Sequence, residues 1–176
     1  MAAAMLMVTL LMVLGFMSST SVLAEDNCVY TVFVKTGWLP RSGTDSNIGA
    51  TFYTAEGDGI EIANFTGWGN LLEPNKNYFE RSALDVFSGF GDCVSGPICK
   101  MNLTSDGSGP HHGWFSESVE ITAAKFGQNC SSHHFTVQQW LATDIAPHSL
   151  SFVKDDCVTD EPDSDLKLIR KYGLGR

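Results

Sequence analysis

Two pairs of adjacent histidines, His111-His112 and His133-His134, are the side chains that first suggest metal chemistry in this sequence. Imidazole nitrogen is a common ligand for zinc and other transition metals. Adjacent residues of an extended chain point to opposite faces, so neither pair can hold an ion by itself. One histidine from each pair could share an ion only where two loops meet. We therefore interpret the four histidines as structural or solvated side chains.

Motifs for catalysis are missing from the sequence. It contains no G-x-S-x-G nucleophile elbow, no H-E-x-x-H zinc motif, no phosphate-binding P-loop and no dinucleotide-binding glycine motif. A hydrolase that uses one of the five histidines without a recognisable motif is the weakest functional hypothesis. We expect a protein that binds and does not catalyse.

The amino-terminal segment has the composition of a secretory leader. Its first 24 residues contain no Asp, Glu, Lys or Arg, and the apolar run Met5–Met17 is followed by the small-residue pattern Val22-Leu23-Ala24. We predict a signal peptide over residues 1–24, with no transmembrane segment after cleavage; an uncleaved anchor is the alternative. The protein should then be a monomer in the endoplasmic reticulum lumen or outside the cell.

The net charge of −9 belongs wholly to the chain that follows this leader. Nucleic acid is therefore not an expected partner, because phosphate electrostatics favour basic proteins. Anionic lipid would not attract the chain by bulk charge either. A membrane contact would have to use apolar side chains, or cations that bridge acidic loops to headgroups.

All five cysteines follow the predicted leader, which in an oxidising compartment indicates two disulfides and one remaining thiol. Spacing alone does not choose among the possible pairings. We predict a bond between Cys130 and Cys157, because they flank a predicted hairpin whose turn lies near their midpoint. The partner of Cys28 would then be Cys93 or Cys99.

Three N-x-S/T sequons, at Asn64, Asn102 and Asn129, predict glycosylation in the secretory pathway. The third sequon has Cys130 at its middle position, and early pairing of that cysteine would hinder modification.

Short runs of alternating, β-branched and aromatic residues recur between turn signals along the chain, with no convincing amphipathic helix. This pattern predicts an all-β fold, an eight-stranded antiparallel β-sandwich over residues 25–157, followed by an acidic tail over residues 158–176. The predicted strands are 28–36, 47–55, 60–63, 77–87, 98–104, 114–124, 133–142 and 149–154.

The stretch Met101–Trp114 (MNLTSDGSGPHHGW) begins as a strand, breaks at an Asp-Gly-Ser-Gly-Pro turn and re-enters order at a tryptophan. With the strand that follows, it resembles the signature of the PLAT, or lipoxygenase-homology, domain. Three further segments are also similar to that family: Gly43-Thr44-Asp45-Ser46 after the first strand, Phe79–Phe87 in the predicted fourth strand, and Trp140-Leu141-Ala142 at the end of the seventh. Ser82 stands where the family usually carries glycine.

The resemblance covers roughly residues 28–157 and is strongest to the stand-alone plant-stress branch of the family. It implies a non-catalytic module that binds a lipid surface or a partner protein during plant stress, in the secretory pathway or the apoplast. It also implies calcium held between loops at one end of the sandwich, because hard cations prefer carboxylate and carbonyl oxygens. The matching residues are Thr44, Asp45, Asp106 and Gly109. Alternatively, the two aspartates only cap turns.

Aromatic residues at loop tips are the candidates for contact with a lipid surface. They are Trp38 beside Leu39, and Phe65 with Trp68, although core packing is the alternative for each aromatic ring. Exposed Trp38 and Trp68 would favour lipid binding. A continuous apolar patch on a sheet face would favour a protein adaptor that docks an enzyme in the lumen.

We predict that the mature protein begins near Glu25, because signal peptidase cleaves after small residues such as Ala24. Amino-terminal sequencing of protein secreted from a eukaryotic host should return the sequence that starts at this position. A sequence starting at Met1, or protein that resists carbonate extraction from membranes, would contradict the prediction.

Overall fold

The computed structural model describes residues 27–71, 75–125, 127 and 130–158. The predicted signal peptide, the sequon at Asn129 and all but the first residue of the predicted acidic tail lie outside these residues. Among the described residues, no helix is long and apolar enough to cross a membrane. The regular structure is nearly all strand, with one short 3-10 turn at Phe65–Gly67.

Nine strands are formed by the described residues, and eight of them correspond to the predicted set. The additional one is a two-residue strand. The strands are β1 (Asn27–Thr36), β2 (Ile48–Thr54), β3 (Gly59–Ile62), β4 (Asn70–Leu71), β5 (Leu84–Asp92), β6 (Ile98–Ser105), β7 (Trp114–Ala124), β8 (Ser131–Leu141) and β9 (Ser151–Asp155).

The strands form two antiparallel sheets that pack face to face, which confirms the predicted β-sandwich. One sheet has the order β4-β5-β1-β7-β8 and the other the order β3-β2-β6-β9. Strand β1 shows why: alternate residues such as Tyr30, Val32 and Val34 are fully buried, while their neighbours face outward. The two inward faces together form one core.

The predicted fourth strand, 77–87, is wrong in its first half. Phe79 and Ser82 have φ angles of 60° and 62°, in the left-handed region and far from the negative φ of regular strand backbone. The buried carboxylate of Asp85 holds this bend, because its Oδ2 accepts a hydrogen bond of 2.8 Å from the Phe79 backbone N–H. Strand β5 begins only at Leu84 and continues to Asp92, beyond the predicted end of the strand at residue 87.

The predicted disulfide between Cys130 and Cys157 is also wrong. The bonds are Cys28–Cys93 and Cys99–Cys157, and Cys130 is an exposed free thiol. Strands β8 and β9 do not form the expected hairpin, since β9 crosses to the other sheet and pairs with β6. The crossing carries Cys157 to Cys99 and away from Cys130.

We expect loss of the second bond, by the double change Cys99→Ser and Cys157→Ser, to lower the free energy of unfolding by about 4 kcal/mol. The bond closes a loop with a sequence separation of 58 residues, and a loop of that size restricts the unfolded chain by this order of free energy. Denaturant titration of the double variant measures the change. Cys130→Ser is the matched control and should leave stability unchanged.

Peptide mapping without reduction should recover peptides that join Cys28 to Cys93 and Cys99 to Cys157. A peptide that joins Cys130 to any of these four cysteines would contradict the assignment.

Candidate functional site

The loops that carry the predicted site residues meet at one end of the sandwich. The chain leaves β1 at Thr36 and enters β7 at Trp114, and the buried indole Nε1–H of Trp114 donates a 3.0 Å hydrogen bond to Oγ1 of Thr36. Backbone bonds from Gly37 N–H to the Phe115 carbonyl and from Phe115 N–H to the Ser42 carbonyl continue this contact. The loop after β1 is thereby fixed to the start of β7.

The segments 44–47 and 106–112 are joined along their length by hydrogen bonds. Oγ1 of Thr44 donates to the carbonyl of His111 at 2.9 Å, and Oγ of Ser46 donates to the carbonyl of Ser108 at 2.7 Å. The backbone N–H of Asp45 also donates to the His111 carbonyl. Thr44 and Ser46 are buried hydroxyl residues whose role is to hold two loops together.

Asp106 also joins these two segments, as a hydrogen-bond acceptor. Its Oδ1 accepts from the backbone N–H of Asn47 at 3.0 Å and of Ser108 at 2.9 Å, and its Oδ2 accepts from Nδ2 of Asn47 at 2.7 Å. The bonds from Ser108 and Asn47 lower the pKa of Asp106 from 3.8 to about 2. This geometry favours the alternative reading of Asp106 as a residue that fixes a turn.

Asp45 lies in the first of these segments, and only one of its carboxylate oxygens accepts a hydrogen bond. Nδ1 of His111 donates to its Oδ2 at 2.9 Å, and no hydrogen bond to its Oδ1 is formed within the described residues. Gly109 packs against it, since a Cβ at this glycine would lie 3.0 Å from Cβ of Asp45. Asp45 is thus the one predicted calcium ligand with a carboxylate oxygen to offer.

The arrangement does not fit an ion held jointly by Asp45 and Asp106. Both oxygens of Asp106 already accept N–H groups, and a cation would have to displace them. Within the described residues, no three Asp, Glu, His or Cys side chains converge on a point where a metal ion would fit. The bond from Ser108 is local and agrees with the turn-capping alternative, whereas the two bonds from Asn47 depend on contact between distant loops.

Each histidine of the two adjacent pairs lies beside a carboxylate. The ring-to-carboxylate distances are 2.9 Å for His111–Asp45, 3.3 Å for His112–Asp144, 3.3 Å for His133–Asp156 and 3.7 Å for His134–Glu120. Their interpretation as structural or solvated side chains agrees with these contacts.

The predicted lipid-contact residues separate into two groups. Trp38 is 70% exposed in the loop after β1, and Leu39 beside it is half-buried. Phe65 is fully buried and stacks on Phe87 with ring centroids 5.2 Å apart, so its proposed exposure is wrong. Trp68 is partly buried because its ring lies over Gly89.

A cleft of about 640 Å³ lies at this end of the sandwich, and no sequence motif predicted it. It lies between the loop after β1, the bend before β5, the Pro110–Gly113 segment and the loop after β8. Its charged and aromatic lining residues are Arg41, Asp45, Glu80, Arg81, His111, His112, Trp140 and Asp144. Sequence reasoning missed the cleft because its walls come from four separate segments.

The protein is thus a β-sandwich whose loops meet around a cleft at one end, as in domains that bind ligands between their loops. Comparison with known proteins identifies its family. The PLAT/LH2 domain model matches residues 30–153. The chain is 46% identical to PLAT domain-containing protein 1 of Arabidopsis thaliana, over 88% of this chain and 86% of that protein. It is 47% identical to PLAT domain-containing protein 2 of the same plant, over 86% and 84%. The chain therefore belongs to the PLAT/LH2 domain family.

Solved structures of lipoxygenases share the fold at low sequence identity. A calcium-dependent 11R-lipoxygenase superposes with a TM-score of 0.53 at 17% identity, over 82% of this chain and 20% of that one. The coral 8R-lipoxygenase, described as activated by calcium through a C2-like domain, gives a TM-score of 0.51 at 20% identity, over 81% and 20%. In both cases the chain corresponds to about a fifth of the enzyme.

Asp106→Asn should lower the melting temperature at pH 7 without any metal present. The amide replaces one acceptor oxygen with a donor and removes the charge that strengthens three hydrogen bonds, at a cost of about 1 kcal/mol for an exposed group. This corresponds to roughly 3–4 °C. Glu61→Gln, which removes an exposed carboxylate from β3, is the matched control.

The difference between wild type and Asp106→Asn should depend on pH. Because the folded-state pKa lies below the ordinary 3.8, the stabilisation is complete above about pH 4 and is lost as the pH falls towards about 2. Melting curves of both proteins between pH 2 and 7 measure this. A difference that stays constant across the range would refute the role of the ionised carboxylate.

Proposed function

We propose that this protein is a non-catalytic binding module that associates with lipid surfaces through the loop end of its sandwich, in the secretory pathway of a plant. The observation that carries the proposal is the exposed Trp38. An indole ring suits the bilayer interface, because one part of it is apolar and another part can donate a hydrogen bond. The stress-related setting follows from the resemblance to the plant branch of the family.

The placement of Trp38 supports an insertion role. The loop that carries it is held by backbone bonds to β7 and to the bend before β5, through Gly37 and Ser82. A fixed loop loses little conformational entropy when its tip enters a membrane. Leu39 adjoins the indole and would add apolar area to the same contact.

Calcium assistance is a separate part of the proposal. Its support is the likeness of fold to lipoxygenases that are described as calcium-dependent or calcium-activated. Asp45 is the residue here that could contribute a carboxylate oxygen, whereas Asp106 is occupied by its hydrogen bonds. Lipid contact through Trp38 does not require the ion, so the two parts can be tested independently.

A protein adaptor that docks a lumenal enzyme is the second candidate, and one feature of the five-stranded sheet favours it. On the outer face, Phe90 is 69% exposed, Leu84 53% and Val29 37%. Phe90 and Val29 lie directly opposite each other in the β5–β1 register. Leu84 lies near the loop end, opposite Lys35, whereas Phe90 and Val29 lie at the other end of the β5–β1 pair. A partner protein could cover this second, apolar end.

The two disulfides support a secretory location for either candidate. Bonds of this kind persist in oxidising compartments such as the endoplasmic reticulum lumen and the extracellular space.

Trp38→Ser should weaken binding of the mature protein to phosphatidylcholine vesicles by roughly tenfold to a hundredfold. Burying a large apolar side chain contributes about 1.5–3 kcal/mol, and that contribution is lost with the indole. Vesicle flotation measures the bound fraction, in calcium and in chelator. If calcium assists through Asp45, Asp45→Asn should remove the calcium-dependent part alone.

Phe90→Ser is the matched control, since Phe90 is an aromatic residue of similar exposure near the opposite end of the same sheet. It should leave flotation unchanged. Loss of vesicle binding in Phe90→Ser with retention in Trp38→Ser would overturn the proposed orientation. Absence of wild-type flotation under both conditions would favour the adaptor.

A further inference from the structure

Both arginines in the described part of the chain, Arg41 and Arg81, line the cleft at the loop end. Two positive side chains thus line one site, although the chain carries a net charge of −9. The segments that carry them are joined, because Thr44 N–H donates to the Phe79 carbonyl at 3.2 Å and Ser82 N–H donates to the Gly37 carbonyl at 2.9 Å. Gly43 permits the approach: a Cβ there would lie 3.1 Å from the Arg81 backbone nitrogen.

Neither guanidinium group has a carboxylate partner among the described residues. Carboxylates do line the cleft, but each already has another partner: Asp45 with His111, Asp144 with His112, and Glu80 with Asn77. Both arginine side chains are exposed to the solvent that fills the cleft. Two unpaired guanidinium groups in one concave site are suited to bind an oxyanion, because each can donate two parallel hydrogen bonds to it.

Apolar side chains also line the cleft. They include Trp140, Ile145 and Pro110, and the Trp140 ring is held in place by edge-to-face packing on Phe115 with centroids 5.5 Å apart. Gly113 lies between Trp140 and Ile145, since a Cβ there would contact both side chains within 4.0 Å. A ligand that fills the cleft therefore needs an apolar part as well as a charged one.

We propose that this cleft binds a small amphiphilic acid, with its carboxylate or phosphate group between Arg41 and Arg81 and its apolar body against Trp140 and Ile145. The volume of about 640 Å³ is typical of small-molecule sites. Such a group could come from a soluble acid or from a lipid headgroup. This site is distinct from the Trp38 contact, because Trp38 is not among the residues that line the cleft.

The test is calorimetric titration of the mature protein with octyl phosphate and with octanoate, each kept below the concentration at which it forms micelles. We expect saturable binding at one site. Arg41→Gln and Arg81→Gln should each weaken it by about tenfold or more, through loss of a charge-assisted bidentate contact. Arg81→Lys should give an intermediate loss, because it keeps the charge without the planar fork.

Three controls separate the parts of the site. Lys154→Gln, on β9, removes a positive charge elsewhere and should leave the affinity unchanged. Inorganic phosphate, which lacks the apolar body, and octyl glucoside, which lacks the oxyanion, should both bind much more weakly than octyl phosphate. Ile145→Ala should reduce the affinity for octyl phosphate more than that for inorganic phosphate.

Equal affinity of the wild type and the Arg41→Gln, Arg81→Gln double variant for octyl phosphate would overturn the proposal, and so would the absence of saturable binding. Folding of the double variant is checked by its melting temperature, which should not fall, because neither side chain is buried or paired.

Vesicles of phosphatidylcholine with phosphatidylserine distinguish the two sources of the oxyanion. If a lipid headgroup is the ligand, the double variant should lose the extra binding that phosphatidylserine confers. If a soluble acid is the ligand, octyl phosphate binding should depend on the arginines while vesicle binding does not. Trp38→Ser should retain octyl phosphate binding in either case, so failure of the membrane proposal leaves this one standing.

Discussion

The buried carboxylate of Asp85 is the constraint on which the loop end of this protein depends. This carboxylate has no solvent exposure. Its Oδ2 accepts a hydrogen bond of 2.8 Å from the Phe79 backbone N–H. Its Oδ1 lies 3.1 Å from Nζ of Lys76, in an ion pair without hydrogen-bond alignment. A buried charge without partners is costly, so the chain must bring both groups to it. The result is a bend that replaces the first half of an expected strand.

This bend connects the core to the candidate site. It turns Phe79 inward, where its ring packs against Phe87 and Trp114 at centroid distances of 5.6 Å and 5.7 Å. The same bend presents Arg81 to the cleft and gives its backbone groups to the loop after β1. Aromatic packing on one side and loop contact on the other are therefore two consequences of one buried acid.

Polar groups at this end have divided roles. Thr44, Ser46 and Asp106 spend their hydrogen-bonding capacity on joining two loops, and are not available for a ligand. Arg41, Arg81 and Trp38 make no comparable contacts among the described residues, and like Oδ1 of Asp45 they remain free to bind. A side chain of a suitable type is thus a weaker indication of a binding site than a side chain of that type whose hydrogen-bonding groups have no partner in the protein.

The sequence by itself determined the fold class, because alternation of buried and exposed residues along strands such as β1 and β7 is a local property that survives in any sandwich. It also located the turn before Trp114, since Gly, Pro and Asp signal turns by their own conformational preferences. For Trp38 the sequence left exposure and core packing as alternatives, and the structure decided for exposure. Tertiary structure decided what depends on distant partners. Cys157 pairs with Cys99 because β9 crosses to the other sheet. Phe65 is buried because it stacks on Phe87, and Arg41 and Arg81 line one cleft because two loops share hydrogen bonds. No local pattern encodes these contacts, since each joins residues that only the packed sheets bring together.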